Sequence, residues 1–265
     1  MTAALMLDIK NLGKRFPARA GREPPPWIIL DMSFSVGAGE LLTIVGPSGA
    51  GKSTLLNIIA QIDTASAGEI VFDGATISSR DPRALKPGID RRIGYVTQDD
   101  NLLPWRSTLD NVLFALEVQG RLNDETRARA EMLIRAVGLA GFERYYPHEL
   151  SGGMRKRTSL IRTLVYDPPV ILMDEPFAAV DAQTRTQLQA DLLTLWELGR
   201  KTIIFVTHDI TEAIALGDRA LVLSKQPTRI AAEHAIPIPR PRNVKDIFAL
   251  EGFAAVYERI RADVQ

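Results

Sequence analysis

Short apolar runs bounded by turn residues, and longer stretches with an apolar side chain at every third or fourth position, divide this chain into strands and helices. Residues 7–10 and 28–34 read as strands. Between them the Pro/Arg/Gly stretch at 17–26 cannot continue a sheet and is expected to be a surface loop. A turn at 36–40 leads into the run Leu41-Leu42-Thr43-Ile44-Val45, residues 68–74 give a strand closed by Asp73-Gly74, and 93–98 give another strand that ends on polar Gln98. From 102 to 165 the period lengthens. Ser107 to Asp110 resembles an N-terminal capping box ahead of Val112, Leu113 and Leu116. A second helix runs over 125–137 with Gly138 as its stop, and a third begins near Ser151 and ends before Pro168-Pro169. Alternation then resumes: strand 170–173, helix 184–198, strand 202–206, helix 210–216, strand 220–223. Such alternation predicts a mostly parallel sheet covered by helices on both faces, with a helical insertion and a strand-rich first third.

The tail offers a strand at 229–232 and a helix over 244–261, and its Arg240 and Arg242 read as solvated surface. With 265 residues and 46% hydrophobic content, the chain has enough apolar surface for one large core or two modest ones. Lys+Arg and Asp+Glu both number 32, so no overall field favours nucleic acid, and no nucleic-acid partner is expected. The absence of cysteine excludes disulfides and thiolate-bound zinc. The first residues lack the pattern of a secretory signal, and no apolar run approaches the ~20 residues of a membrane span. Work at a membrane would need another chain to cross it.

Candidate chemistry begins where the strand at 41–45 meets Gly46-Pro47-Ser48-Gly49-Ala50-Gly51-Lys52-Ser53-Thr54, a G-x-x-x-x-G-K-S loop that opens a helix. Backbone N–H groups of such a loop, joined by a helix N-terminus, cradle polyphosphate. Glycine at 46, 49 and 51 is expected to allow positive φ and close backbone approach, Lys52 to reach the terminal phosphates, and Ser53 to offer its hydroxyl to Mg²⁺. The apolar strand at 170–173 finishes in Asp174-Glu175, and in a parallel sheet such ends meet the ligand crevice. Asp174 is assigned to the metal and Glu175 to the general base that aligns water for attack on phosphorus. Leu150-Ser151-Gly152-Gly153 is a second anion site, a serine-capped helix start with two glycines that allow an anion near the backbone.

With that serine-glycine-glycine sequence the chain resembles the nucleotide-binding subunit of ATP-binding cassette (ABC) transporters, over residues 16 to about 223. The fold implied is an α/β P-loop NTPase with a RecA-like, mostly parallel sheet, an antiparallel β subdomain and an inserted helical subdomain. The resemblance implies an ATPase domain over 1–225, its helical part at about 102–165, and an extension at 226–265 without an assigned role. It also assigns Phe16 to stack on adenine, Gln98 to sense Mg²⁺ and the attacking water beside the membrane subunit, Asp181 to a loop crossing a dimer interface, and His208 to contact the γ-phosphate. Met154 stands where the family most often has glutamine, and Ala178-Ala179-Val180-Asp181 departs from its frequent Ser-Ala-Leu-Asp. His148 and His234 receive no role.

The implied cofactors are ATP and Mg²⁺. The implied partners are a second copy in a head-to-tail ATP sandwich, integral membrane permease subunits, and a solute-binding protein of the same system. The chain would then sit peripherally on the cytoplasmic side of the inner membrane. Residues 99–106 supply a lip for a coupling helix, with Leu102 and Trp105 as its apolar groups. The phrases Leu-Leu-Pro-Trp-Arg, Ser-Gly-Gly-Met-Arg-Lys-Arg and Met-Asp-Glu-Pro-Phe-Ala-Ala-Val-Asp look most like the nitrate/sulfonate/taurine importers. An exporter or lipid-transport ATPase, a soluble ABC ATPase and a small-molecule P-loop kinase share the cradle and stay open at this stage.

Overall fold

The computed structural model describes residues 4–17, 25–77 and 91–264. In chain order its regular elements are β1 (Leu5–Lys14), β2 (Ile29–Gly37), β3 (Leu41–Val45), α1 (Lys52–Ile59), β4 (Ala67–Phe72), β5 (Ala75–Thr76), β6 (Ile93–Val96), α2 (Thr108–Val118), α3 (Asp124–Ala136), α4 (Gly152–Leu164), β7 (Val170–Asp174), α5 (Ala182–Gly199), β8 (Thr202–Thr207), α6 (Ile210–Leu216), β9 (Arg219–Leu223), β10 (Ile230–Ala235) and α7 (Phe253–Asp263). The loop expected at 17–26 lies outside the described residues over 18–24.

Two sheets form. One is a four-stranded antiparallel sheet, β2-β1-β4-β5; the other has six strands in the order β10-β9-β3-β8-β7-β6. All pairings in the second sheet are parallel except that of β10 with β9. Period-two alternation sorts its side chains onto two cores. Ile203 and Phe205 of β8, with Ile171 and Met173 of β7, face the helical side, where α2, α4, α5, α6 and α7 bury their stripes. Ile204, Val206, Val170 and Leu172 face the other way, against α1 and the antiparallel sheet. The expected α/β fold with an antiparallel sheet is therefore the one observed.

Several local expectations need correction. β1 runs well past Lys10, because Asn11 takes a positive φ of 48° and shifts the register between Ile9 and Leu12 rather than ending the strand. The single helix expected over 244–261 is split. A 3-10 turn at Val244–Ala249 precedes α7, and Gly252 between them is left-handed at φ 85°. Arg242 is buried, not solvated: its guanidinium donates to the carbonyls of Ile214, Gly217, Ile236 and Ile238, and so satisfies the C-terminal end of α6. Burial lowers its pKa to about 10. Arg240 bonds Asp218 and lies 4.2 Å from the Trp196 ring centroid. His234, given no role above, lies 2.8 Å from Asp263.

The helical insertion between β6 and β7 is set by its caps. Ser107 accepts from the Asp110 N–H, and Asn123 forms a full capping box with Thr126. Asp110 completes no box, because its carboxylate accepts the Ser107 hydroxyl at 2.7 Å instead of the Ser107 N–H. Beyond Gln98 the expected lip divides: Leu102 is buried, whereas Trp105 is 71% exposed. Among the described residues no helix is long and apolar enough to cross a membrane.

Candidate nucleotide site

Strand β3 delivers the chain into the loop at 46–51, and α1 starts at Lys52 with no side chain capping its first N–H groups. Those groups and the positive end of the helix dipole face the same point, which favours an anion. Gly49 and Gly51 do adopt positive φ, 78° and 73°. Gly46 does not; a Cβ there would lie 3.0 Å from Leu223 Cβ, a tight approach, so what glycine provides at this position is close packing on β9.

A cavity of about 450 Å³ opens over the loop, lined by residues 48–54 together with Gln98, Asp174, Glu175, Ile28 and Gln226. Lys52, 5% exposed, donates to the Gly46 and Pro47 carbonyls at 2.9 and 3.1 Å. Its ammonium also lies 3.3 Å from Glu175 Oε1, and Glu175 Oε2 lies 2.8 Å from His208 Nδ1. Lysine, carboxylate and imidazole thus form one continuous chain. Glu175 holds a backbone φ of 43°, an uncommon conformation for a side-chain-bearing residue, with its N–H bonded to the Val206 carbonyl on β8.

Asp174 closes β7 beside Ser53. Burial raises its pKa above the ordinary carboxylate range, and a hydrogen bond from Ser53 opposes that shift. Tyr95 donates its hydroxyl to Asn57 Oδ1 at 3.1 Å and stands 3.5 Å from Asp174. A hydroxyl and a carboxylate at contact distance are an oxygen donor set suited to Mg²⁺, which commonly takes its remaining ligands from phosphates and water. Among the described residues no cluster of three acidic or histidine side chains forms a cage for a metal by itself.

The second expected anion site stands apart. Ser151 caps α4 and accepts from the Met154 N–H at 3.3 Å; it lines a different cavity, about 520 Å³, with Gly153, Arg157, Gln183 and Lys245. The two glycines are not equivalent. Around Gly152 there is room, whereas a Cβ on Gly153 would come 2.7 Å from Thr184 Cγ2, so Gly153 serves the close approach of α4 to α5. Asp181 caps α5, accepting from the Thr184 N–H at 3.0 Å. Phe16 is 48% exposed, with Lys14 Nζ 5.2 Å from its ring centroid, and does not line the phosphate cavity.

Lys52, Ser53, Gln98, Asp174, Glu175 and His208 are therefore brought together within one chain, while Ser151, Gly152, Gly153 and Asp181 lie elsewhere. The two regions are tied through the Gln98 segment: Lys156 of α4 donates to the Gln98 carbonyl, Arg155 pairs with Asp100 at 3.0 Å, and Arg162 donates to the Asp100 and Asn101 carbonyls. Sequence reasoning passed over Ile28, Tyr95, Gln226 and Lys245. Each is a common residue type in a segment without a motif, and only the fold brings it to a cavity.

A family model described as ABC transporter matches residues 29–178. An uncharacterised ABC transporter ATP-binding protein of Methanocaldococcus jannaschii is 44% identical over 245 residues, covering 92% of this chain and 87% of the relative. A taurine import ATP-binding protein of Rhizobium johnstonii is 40% identical over 262 residues, covering 97% and 95%. The solved dimeric structure of an ATP-binding cassette in a post-hydrolysis state bound to ADP and Pi superposes with a TM-score of 0.73 at 32% identity, covering 87% of this chain and 99% of that one.

Proposed function

The chain belongs to the ABC transporter family as an ATP-binding, ATP-hydrolysing subunit, and from that premise we propose that it powers a nitrate/sulfonate/taurine-type importer through nucleotide-dependent closure of two copies. One observation carries the catalytic reading: Glu175 stands over the phosphate loop between Lys52 and His208.

Loop N–H groups and Lys52 bind the β- and γ-phosphates of ATP. A terminal phosphate competes with Glu175 for the Lys52 ammonium and releases the carboxylate to accept a proton from water. His208 holds Glu175 in place from the other side. Water oxygen bonds to the γ-phosphorus, the bond from that phosphorus to the bridging oxygen breaks, the proton goes to Glu175, and ADP and phosphate result. Ser53 and Asp174 would hold Mg²⁺, which supplies charge neutralisation to the phosphates. Phe16 provides an aromatic face for adenine, and Gln98 lies at the cavity rim facing the water and the membrane partner.

Ser151 to Gly153 complete the site from a partner copy, with Asp181 at the same interface. This agrees with the separation of the two cavities in one chain and with the dimeric cassette to which the fold is similar. Permease subunits dock beside Gln98 and exposed Trp105, a solute-binding protein delivers substrate to them, and the chain stays peripheral on the cytoplasmic side of the inner membrane. The taurine class follows the names of relatives at 40–44% identity. Purification of the chain with its permease and reconstitution in vesicles test this: ATP-dependent uptake of taurine or a related sulfonate supports it, and ATP hydrolysis that no such substrate stimulates contradicts the substrate class.

A further inference from the structure

The segment that follows β9 turns back onto the phosphate loop. Gln226 Nε2 donates to the Gly49 carbonyl at 2.8 Å and its side chain lines the cavity. Two residues on, the wholly buried Thr228 donates its hydroxyl to the Ala50 carbonyl at 2.7 Å. Thr228 is itself anchored at both backbone groups: its N–H donates to the Ile28 carbonyl at 2.7 Å, and its carbonyl accepts from the Leu30 N–H at 3.0 Å.

These two bonds act on peptide planes. In a trans peptide the carbonyl and the next N–H point in opposite directions, so holding the Ala50 carbonyl against Thr228 sets the direction of the Gly51 N–H, and holding the Gly49 carbonyl against Gln226 sets that of the Ala50 N–H. Ala50 N–H closes the loop's own turn onto the Pro47 carbonyl at 3.2 Å. Glycine at 49 and 51 leaves the planes between them easy to rotate. Rotating the plane between Ala50 and Gly51 would put the Ala50 carbonyl oxygen where the Gly51 N–H now points, and rotating the plane between Gly49 and Ala50 would break the turn onto Pro47.

We propose that Gln226 and Thr228 are positioning residues of the nucleotide site, a brace in which Gln226 holds the loop's own turn and Thr228 keeps the Gly51 N–H rather than the Ala50 carbonyl oxygen toward the nucleotide. The inference rests on the reading of that loop as the nucleotide cradle. It also means that the site is built partly by residues beyond 225, the segment that the motifs leave without a role.

The test uses the full chain and four variants: Thr228→Val, which keeps shape and removes the donor; Thr228→Ser, which restores it; Gln226→Ala; and Lys52→Ala as a reference. Affinity for ADP by equilibrium titration, KM and kcat for ATP, and the thermal midpoint without nucleotide are measured for each. Thr228→Val is expected to lose about tenfold or more in ADP affinity and to raise KM more than it lowers kcat, since it strands a buried carbonyl. Thr228→Ser is expected near wild type. Gln226→Ala, at an exposed position, is expected to keep the wild-type midpoint and still bind ADP several-fold more weakly. It decides the matter if Thr228→Val fails to fold. Wild-type ADP affinity in Thr228→Val or Gln226→Ala overturns the brace, as does equal loss in Thr228→Val and Thr228→Ser, which would make packing the cause. If Lys52→Ala also binds ADP as wild type does, the cradle reading itself fails; if only Lys52→Ala is impaired, the brace alone is refuted.

Discussion

Glu175 and His208 meet at 2.8 Å across the ends of β7 and β8, strands that are neighbours in the sheet, while the second carboxylate oxygen of Glu175 stays 3.3 Å from Lys52. The pairing puts one carboxylate between a cation that phosphate attracts and an imidazole that holds it still. Replacing Glu175 with glutamine keeps the shape and removes the basic oxygen. ATP hydrolysis is expected to fall about 10²- to 10⁴-fold, with ATP affinity retained and the ATP-bound dimer accumulating on size exclusion. Hydrolysis at the wild-type rate would remove Glu175 as the base.

Lys52 is buried among the carbonyls of its own loop. Lys52→Ala removes the cation proposed to reach the terminal phosphates, and hydrogen bonds to charged groups contribute about 1.5–3 kcal/mol. ATP affinity measured by titration is therefore expected to weaken by roughly tenfold to a hundredfold. Unchanged affinity would contradict the cradle.

Gly153 has no room for a side chain because Thr184 Cγ2 occupies it. Gly153→Ala is expected to cost about 1–3 kcal/mol of stability by urea denaturation. Adding Thr184→Ser, which removes the obstructing methyl, should recover most of that loss. No recovery in the double variant would place the cost in the helix backbone and not in the contact between α4 and α5.

Glu212 is buried between Thr207 and Gln189, and burial raises its pKa above the ordinary value. The folded state then keeps this proton to higher pH than the unfolded chain does. Stability contributed by this group is complete below the unfolded pKa and is lost as pH rises through the raised folded value. Glu212→Gln removes the titration. Its stability relative to wild type is expected to improve between pH 5 and pH 8 in urea denaturation, and an equal difference at both pH values would show that Glu212 does not titrate in this way.

Much of this was legible in the sequence because the motifs sit at strand ends. A glycine-rich loop after an apolar strand, and Asp174-Glu175 at the end of another, converge where those strands run parallel in one sheet, here on either side of β8. Ser151 was legible as a helix cap and proves to be one, whereas Asp181, expected only in a loop crossing an interface, also caps a helix. The positions that resisted reading depend on tertiary contact. Arg242 looked like solvated charge because nothing local shows that α6 needs its terminal carbonyls satisfied. Sequence patterns at Gly46 and Gly153 point to backbone freedom or anion approach, yet what crowds a Cβ at each is a neighbour remote in sequence, Leu223 or Thr184. Gln226 and Thr228 had no motif at all, since their partners are backbone oxygens some 178 residues earlier.

The central claim is that each nucleotide is shared between the phosphate loop of one copy and Ser151 of the other. Its most direct measurement mixes two inactive variants, Lys52→Ala and Ser151→Arg, and follows ATP hydrolysis. Each homodimer has two damaged sites, whereas the mixed dimer has one site with both halves intact. Hydrolysis in the mixture well above that of either variant alone is the expected result; a mixture no more active than its components, with mixed dimers demonstrably formed, would contradict the shared site.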